Sequence, residues 1–177
     1  MSKVIELKNV RLSYPSIFEH GTFGGESTGK YSANLLLPKT DTKAYEALLE
    51  MVDEIKKTSK LKTDKIFIAD GDADDAEETD GHWIIKVANK NRPTLVNRNG
   101  TVVTKEDAEA NNLLFAGCYV NAFVGAWGMN NAYGKRVVGQ LAGLQHVKGS
   151  PEDAFGETGT VSAGMFTVLD DEEDTDF

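Results

Sequence analysis

The sequence predicts a mainly β protein, a small barrel of five or six strands with a helix inserted at about residues 41–57 and a shorter one at about 104–111. Three observations predict it. Apolar and polar residues alternate in several separate stretches, one long stretch switches to helical spacing, and Gly, Pro and Asn punctuate the boundaries between them. The 177 residues, 40% of them apolar, suffice for one core, so residues 1–169 read as a single domain and residues 170–177 as a disordered acidic tail.

The opening stretch, Val4 to Tyr14, alternates with a slip near Asn9 and stops at Pro15, which reads as a bulged strand. A glycine-rich loop follows, then Lys30 to Leu37 as a second strand closed by Pro38, so the two strands suggest a hairpin. From Thr40 the period changes. Tyr45, Leu48, Leu49, Val52 and Ile55 share one helical face, Thr40 or Asp41 can cap its start, and Lys56 and Lys57 suit its C-terminal dipole. Residues 65–68 read as a short strand leading into an acidic loop. His82 to Arg92 then reads as a strand with Trp83, Ile85 and Val87 on one face and Ile84, Lys86, Ala88 and Lys90 on the other. Thr104 with Asp107 resembles a capping box and starts the short helix. Gly117 to Trp127 alternates again, with Cys118, Val120, Ala122, Val124 and Ala126 turned one way. The turn residues 130–134 return the chain into a last strand from Lys135 to Leu144, and residues 149–164 read as a loosely ordered connection.

Charge sharpens this picture. The net charge of −9 alone argues against a nucleic-acid ligand, because phosphate binding needs a positive surface. Yet seven acidic residues lie between Asp70 and Asp80 and six more between Asp170 and Asp176. Setting aside those thirteen leaves 19 basic against 15 acidic residues, a mildly basic body with two acid blocks. No apolar run approaches the roughly 18 residues of a membrane span, and the N-terminus has no basic region leading into an apolar one. One cysteine and three scattered histidines speak against disulfides and structural zinc, which fits a reducing cytoplasm.

Two motifs fail on inspection. Gly24 to Lys30 matches most of a phosphate-binding loop, but Tyr31 stands where a magnesium-binding hydroxyl is required and no helix follows. Asp70 to Asp74 imitates a calcium loop, but Asp75 replaces the turn glycine and Gly81 the bidentate glutamate, so a solvated acidic loop is the better reading. No nucleophile–base set is visible. The chain is accordingly read as a non-enzyme with no cofactor and no metal.

The positive signal is aromatic residues interleaved with basic ones on predicted strands. Single-stranded nucleic acid is held by Lys and Arg along its phosphates and by rings stacked on its bases. The candidate DNA-binding residues are Tyr31, Lys86, Lys90, Arg92, Tyr119, Phe123, Trp127, Tyr133, Lys135 and Arg136, whereas Phe67, Trp83 and Phe115 are assigned to the core. The tail adds a second signal. Asp170, Asp171, Glu172, Glu173, Asp174 and Asp176 precede a terminal aromatic, Phe177, a combination suited to docking on basic partners or to mimicking DNA in a basic groove.

With Tyr14-Pro15 ending the first strand, Gly29-Lys30-Tyr31 leading into Leu35-Leu36-Leu37-Pro38, the strand pair around Gly125-Ala126-Trp127 and Lys135-Arg136, and the acidic tail closed by Phe177, the chain resembles phage-encoded single-stranded DNA-binding proteins of the OB-fold type. The resemblance covers nearly the whole chain. It implies an OB-fold barrel that coats single-stranded DNA without sequence preference during phage replication or recombination, inside the bacterial host cytoplasm. It further implies that the acidic residues and Phe177 recruit phage replication proteins such as the DNA polymerase and compete with DNA for the groove. Self-association is left open, and no membrane partner is expected. A different reading of the same residues is an acidic DNA mimic that inhibits a host DNA-binding protein.

Overall fold

The computed structural model describes residues 4–73, 76–132, 134–149 and 154–155. In chain order the elements are β1 (Ile5–Ser16), β2 (Thr22–Phe23), β3 (Glu26–Ser27), β4 (Tyr31–Pro38), α1 (Thr42–Thr58), β5 (Ile68–Asp70), two 3-10 turns (Gly71–Ala73 and Glu77–Thr79), β6 (His82–Asn89), β7 (Thr94–Val96), α2 (Lys105–Asn111), β8 (Tyr119–Asn131) and β9 (Gly134–Lys148). Five strands close a ring in the order β1, β4, β6, β9, β8 and back to β1. All its contacts are antiparallel except β6 on β9, which is parallel and pairs only Val87 with Gly139 and Ala88 with Gln140. This is an OB-fold barrel, as the resemblance implied.

Each strand takes the face its alternation dictates. Leu7, Val10 and Leu12 of β1, Leu35 and Leu37 of β4, Ile85 and Val87 of β6, Val120, Ala122, Val124 and Ala126 of β8, and Leu141 and Leu144 of β9 meet in one buried cluster. Burying each large aliphatic side chain contributes about 1.5–3 kcal/mol. The slip near Asn9 is a bulge. Asn9 has a φ of 55°, the β1–β8 register shifts between Leu7 and Val10, and the Asn9 amide donates to Asn121 Oδ1 at 3.1 Å. A polar residue that tolerates the left-handed region takes the extra position, and β1 thereby curves from β8 toward β4.

The helix α1 begins where the sequence placed it. Asp41 caps it by accepting from the Ala44 amide at 3.3 Å, and Leu48, Met51 and Val52 are buried against the barrel. Its Tyr45 ring lies parallel to Trp83 of β6 with centroids 4.3 Å apart, so Trp83 is half-buried under the helix. Phe67 is buried and Phe115 packs partly exposed against the same cluster, in keeping with the core assignment. The capping box of Thr104 and Asp107 is present on α2.

Two elements differ from expectation. The short strand expected over residues 65–68 is displaced to β5, because residues 65–67 pair separately with both neighbours. Phe67 O accepts from the Lys86 amide at 2.8 Å and Lys65 O from the Val137 amide at 3.0 Å, so this segment wedges between β6 and β9 where they diverge. The acidic loop is also more ordered than a solvated run. Asp72 Oδ1 accepts from the Gly81 amide at 2.7 Å, Thr79 Oγ1 donates to Gly71 O at 2.8 Å, and Lys39 Nζ sits 2.6 Å from Asp70 and 2.5 Å from Asp72. The tail from residue 156 onward, and Asp74 and Asp75 of the acidic loop, lie outside the described residues.

Gly139 sets the closure. A Cβ there would stand 2.6 Å from Phe67 Cδ2 and 2.8 Å from Lys86 O, the backbone it must approach. Gly139→Ala is therefore expected to cost about 1–3 kcal/mol, read as a lower urea midpoint at unchanged m-value.

The buried His146 generates a second prediction. Its Nδ1 accepts from the Leu114 amide at 3.2 Å, and burial, with Arg98 nearby, pushes its pKa down. The unfolded chain therefore takes up the proton first as pH falls. This stability is whole above the unfolded pKa of about 6.5 and is lost as pH drops from there toward the folded value. The urea midpoint should fall between about pH 7 and pH 5, and His146→Asn should remove that part of the loss while leaving the later loss from carboxylates.

Candidate nucleic-acid interface

Alternation on β4 and β6 puts Ser32, Asn34, Lys86 and Ala88 on the outer barrel face, with Asn34 opposite Lys86 and Ser32 opposite Ala88. The β8–β9 hairpin rises beside this face, because beyond Gly139 the wedge of residues 65–67 holds it away from β6. Between them run two adjoining depressions of about 560 and 520 Å3 that share Lys30, Ala88, Trp127, Met129 and Val138. Lys30 and Lys90 flank one, and Lys86 and Arg136 the other, over a floor of Ile66 and Phe67. Trp127 is 42% exposed, and among the described residues no other ring stacks on it.

None of the described lining residues is acidic, in a chain of net charge −9. Four cations around an exposed indole in a trough open along its length suit a phosphate chain with bases turned inward. Asn34, Asn89, Asn91 and Gln140 add side-chain amides, which donate and accept hydrogen bonds without adding charge.

The sequence candidates separate into three groups. Lys86, Lys90, Trp127 and Arg136 come together in the trough. Tyr31 and Arg92 sit at one end of the barrel, with the Arg92 guanidinium 5.6 Å from the Tyr31 ring and His20 edge-on to that ring at 4.6 Å. Arg92 Nη2 also donates to Phe18 O at 2.9 Å, so both residues hold the β1–β4 loop. Tyr119 and Phe123 lie elsewhere, on the outer face toward β1. Tyr119 lies beside Arg11 and Lys148, at 5.3 and 5.0 Å, and Phe123 stands between Glu6 of β1 and Gly143 of β9. The alternation of β8 aligns Tyr119, Phe123 and Trp127 correctly. Barrel curvature and the register shift after Phe123 carry the first two away from the trough. Lys135 is at the hairpin end, where its carbonyl accepts from the Thr63 hydroxyl at 2.8 Å; Tyr133 and the acidic tail lie outside the described residues.

Lys30, Met129 and the amide residues were missed by sequence reasoning. Lys30 enters the sequence reading as a phosphate-loop lysine, as the start of the second strand and within Gly29-Lys30-Tyr31, but not as a groove residue, although it directly precedes β4. Met129 carries the parity of Trp127 one step further and could have been found from it.

The acidic loop stands apart from the trough. Lys39 faces Asp70 and Asp72 and also lies 4.5 Å from the Trp83 ring centroid. The hydrogen bond from Lys39 lowers the Asp70 pKa, and that from the Gly81 amide, reinforced by Lys39, lowers that of Asp72; the same contacts raise the Lys39 pKa. Two of the loop's carboxylates are thus occupied within the fold. Among the described residues no group of His, Cys, Asp and Glu could hold a metal ion, and no helix is long and apolar enough to cross a membrane.

Comparison with known proteins bears on this geometry. The family model of the Enterobacter phage Enc34 single-stranded DNA-binding protein matches residues 2–177. The structure of that Enc34 protein in complex with single-stranded DNA is similar at 31% identity and a TM-score of 0.74, covering 86% of this chain and 89% of that one. Protein p50 of Acyrthosiphon pisum secondary endosymbiont phage 1 is 32% identical, over 93% of each chain. The bacteriophage T7 single-stranded DNA-binding protein gp2.5, at 14% identity and a TM-score of 0.59, shares the fold over 92% of this chain and all of that one. This chain belongs to the Enc34 single-stranded DNA-binding protein family.

Proposed function

We propose that this protein binds single-stranded DNA without sequence preference in the trough between the β4–β6 face and the β8–β9 hairpin, and coats it during phage DNA replication or recombination in the cytoplasm of the bacterial host. The observation that carries this reading is the trough itself, in which Lys30, Lys86, Lys90 and Arg136 surround the exposed Trp127 with no acidic residue among the described lining. The Enc34 relative solved with single-stranded DNA supports it. The role is one of binding, with no reaction assigned. The acidic residues 170–174 and 176, with Phe177, recruit replication partners such as the polymerase, and as a polyanion they compete with DNA for the basic trough. The DNA-mimic reading is less well supported, because Asp70 and Asp72 are turned onto Lys39 instead of being offered to a partner.

Titration with unstructured oligothymidine tests the proposal. Trp83 is covered by Tyr45, so quenching of tryptophan fluorescence should come from Trp127 and vanish in Trp127→Ala. That variant should bind about 1–3 kcal/mol more weakly, as expected for one lost stacking contact. If about 3–5 phosphates are neutralised, log affinity against log salt should slope at about −2 to −4, and a slope near zero would sink the groove reading.

The same titration tests the tail. A chain ending at Leu169 should bind oligothymidine more tightly than the full chain, with the difference shrinking as salt rises. Equal affinities at low salt would remove the competing role from residues 170–177.

A further inference from the structure

One strongly charged patch lies outside the trough. Between Lys56 and Lys65 five of ten residues are lysine and one, Asp64, is acidic. Two hydrogen bonds bring this segment against the start of β9, where Thr63 Oγ1 donates to Lys135 O at 2.8 Å and the Val137 amide donates to Lys65 O at 3.0 Å. Lys60, Lys62, Lys65 and Lys135 are thereby brought to the end of the hairpin that holds Arg136, which lines the trough, and Lys65 directly precedes Ile66 of its floor. All five cations are exposed, and none is in an ion pair with another described residue.

The end of α1 explains two of the lysines and leaves the others. Lys56 and Lys57 stand in the last turn, where a cation complements the helix dipole, but that effect fades beyond the turn and does not reach Lys62, Lys65 or Lys135. The helix closes on a Schellman turn, with the Leu61 amide donating to Lys56 O at 2.8 Å and the Lys60 amide to Lys57 O at 3.3 Å. Lys60 therefore takes the left-handed position, with a φ of 52°, where glycine is the usual residue and a side chain is strained. The turn is firmly held. Leu61 is buried, and a Cβ on Gly128 would stand 2.7 Å from Leu61 Cδ1 and 2.8 Å from Ser59 Oγ. Gly128 lies between Trp127 and Met129 and faces the other side of β8, so the turn backs the hairpin wall of the trough and carries a strained, exposed lysine on a rigid support.

We infer that Lys60, Lys62, Lys65 and Lys135 continue the phosphate track of the trough, so that single-stranded DNA leaving past Arg136 turns over the junction between the end of α1 and the β8–β9 hairpin. This rests on the trough reading and extends it. Continuity selects nucleic acid as the occupant over an acidic protein, because Arg136 and the segment of residues 65–67 belong to both surfaces, and a strand leaving the trough by that end crosses them. Residues 56–65 and 134–136 include no aromatic side chain, so the patch holds phosphates without stacking bases. The protein thus has a short stacking track and a longer electrostatic one, and it covers more DNA than it stacks.

Oligothymidines of about 6 and about 15 nucleotides, within the range that one OB domain occupies, separate the two segments when the full chain is titrated and Trp127 quenching is followed. The long oligomer should give a log–log salt slope steeper than that of the short one by about 2–3, for three or four further phosphates. The double variant Lys60→Gly, Lys62→Ala should lose about 1.4 of that slope and bind the long oligomer at least about tenfold more weakly at low salt, while binding the short one as before. Lys60→Gly relieves the left-handed strain, so this variant should unfold no earlier in urea, and a loss of binding is then not a loss of fold. Lys60→Arg with Lys62→Arg, which keeps both charges, should retain the slope of the unsubstituted chain. Equal slopes for the two oligomers overturn the continuation and leave the trough standing. A double variant that binds the long oligomer undiminished does the same and assigns the patch to another polyanion, such as an acidic protein. Equal weakening of both oligomers reduces the lysines to a general field and also overturns it. No Trp127 quenching by either oligomer refutes the trough reading, and the continuation falls with it.

Discussion

The two-residue parallel contact between β6 and β9 holds the barrel closed, and most of the structure follows from it. Gly139 permits the contact, since any side chain there would meet the Phe67 ring and the Lys86 carbonyl. Only a short stretch of β6 can pair with β9, because β5 and the segment before it occupy the rest of that edge. The hairpin beyond Gly139 is consequently splayed away from the barrel. The splay creates the trough, and the residues that fill the gap, Ile66 and Phe67, become its floor.

Charge is segregated on the same frame. The trough gathers Lys30, Lys86, Lys90 and Arg136 from three separate parts of the chain. The internal acid block is folded onto β6 beyond the region that pairs with β9, where Lys39 ties down Asp70 and Asp72. Such exposed ion pairs contribute little stability, so the latch matters for where the charge lies more than for how firmly the fold holds. A net charge of −9 is thereby compatible with a locally positive surface, and the average charge of the chain is a poor guide to its partner.

Much of the fold was legible. The period of two named the inward faces of β6 and β8, the period of 3.6 placed α1 to within a residue of each end, and the slip near Asn9 located a bulge. These signals are local, since they reflect which side of one backbone segment is apolar. The site was legible only in part. Alternation identified which side of β8 carries Tyr119, Phe123 and Trp127, but only Trp127 reaches the trough, and Lys30 was set aside with a phosphate loop it does not form.

The sequence by itself determined the fold class, the strand faces, the helix boundaries and the mildly basic character of the body, because each depends on neighbours within one segment and on the sum of charges. Tertiary structure alone decided which aromatic and basic residues converge, that the acidic loop folds onto Lys39, and that a cluster of lysines stands at one end of the trough. Convergence depends on strand register, barrel curvature and the splay of one hairpin, and these are set by contacts between residues far apart in the chain, such as Val87 with Gly139 and Lys65 with Val137.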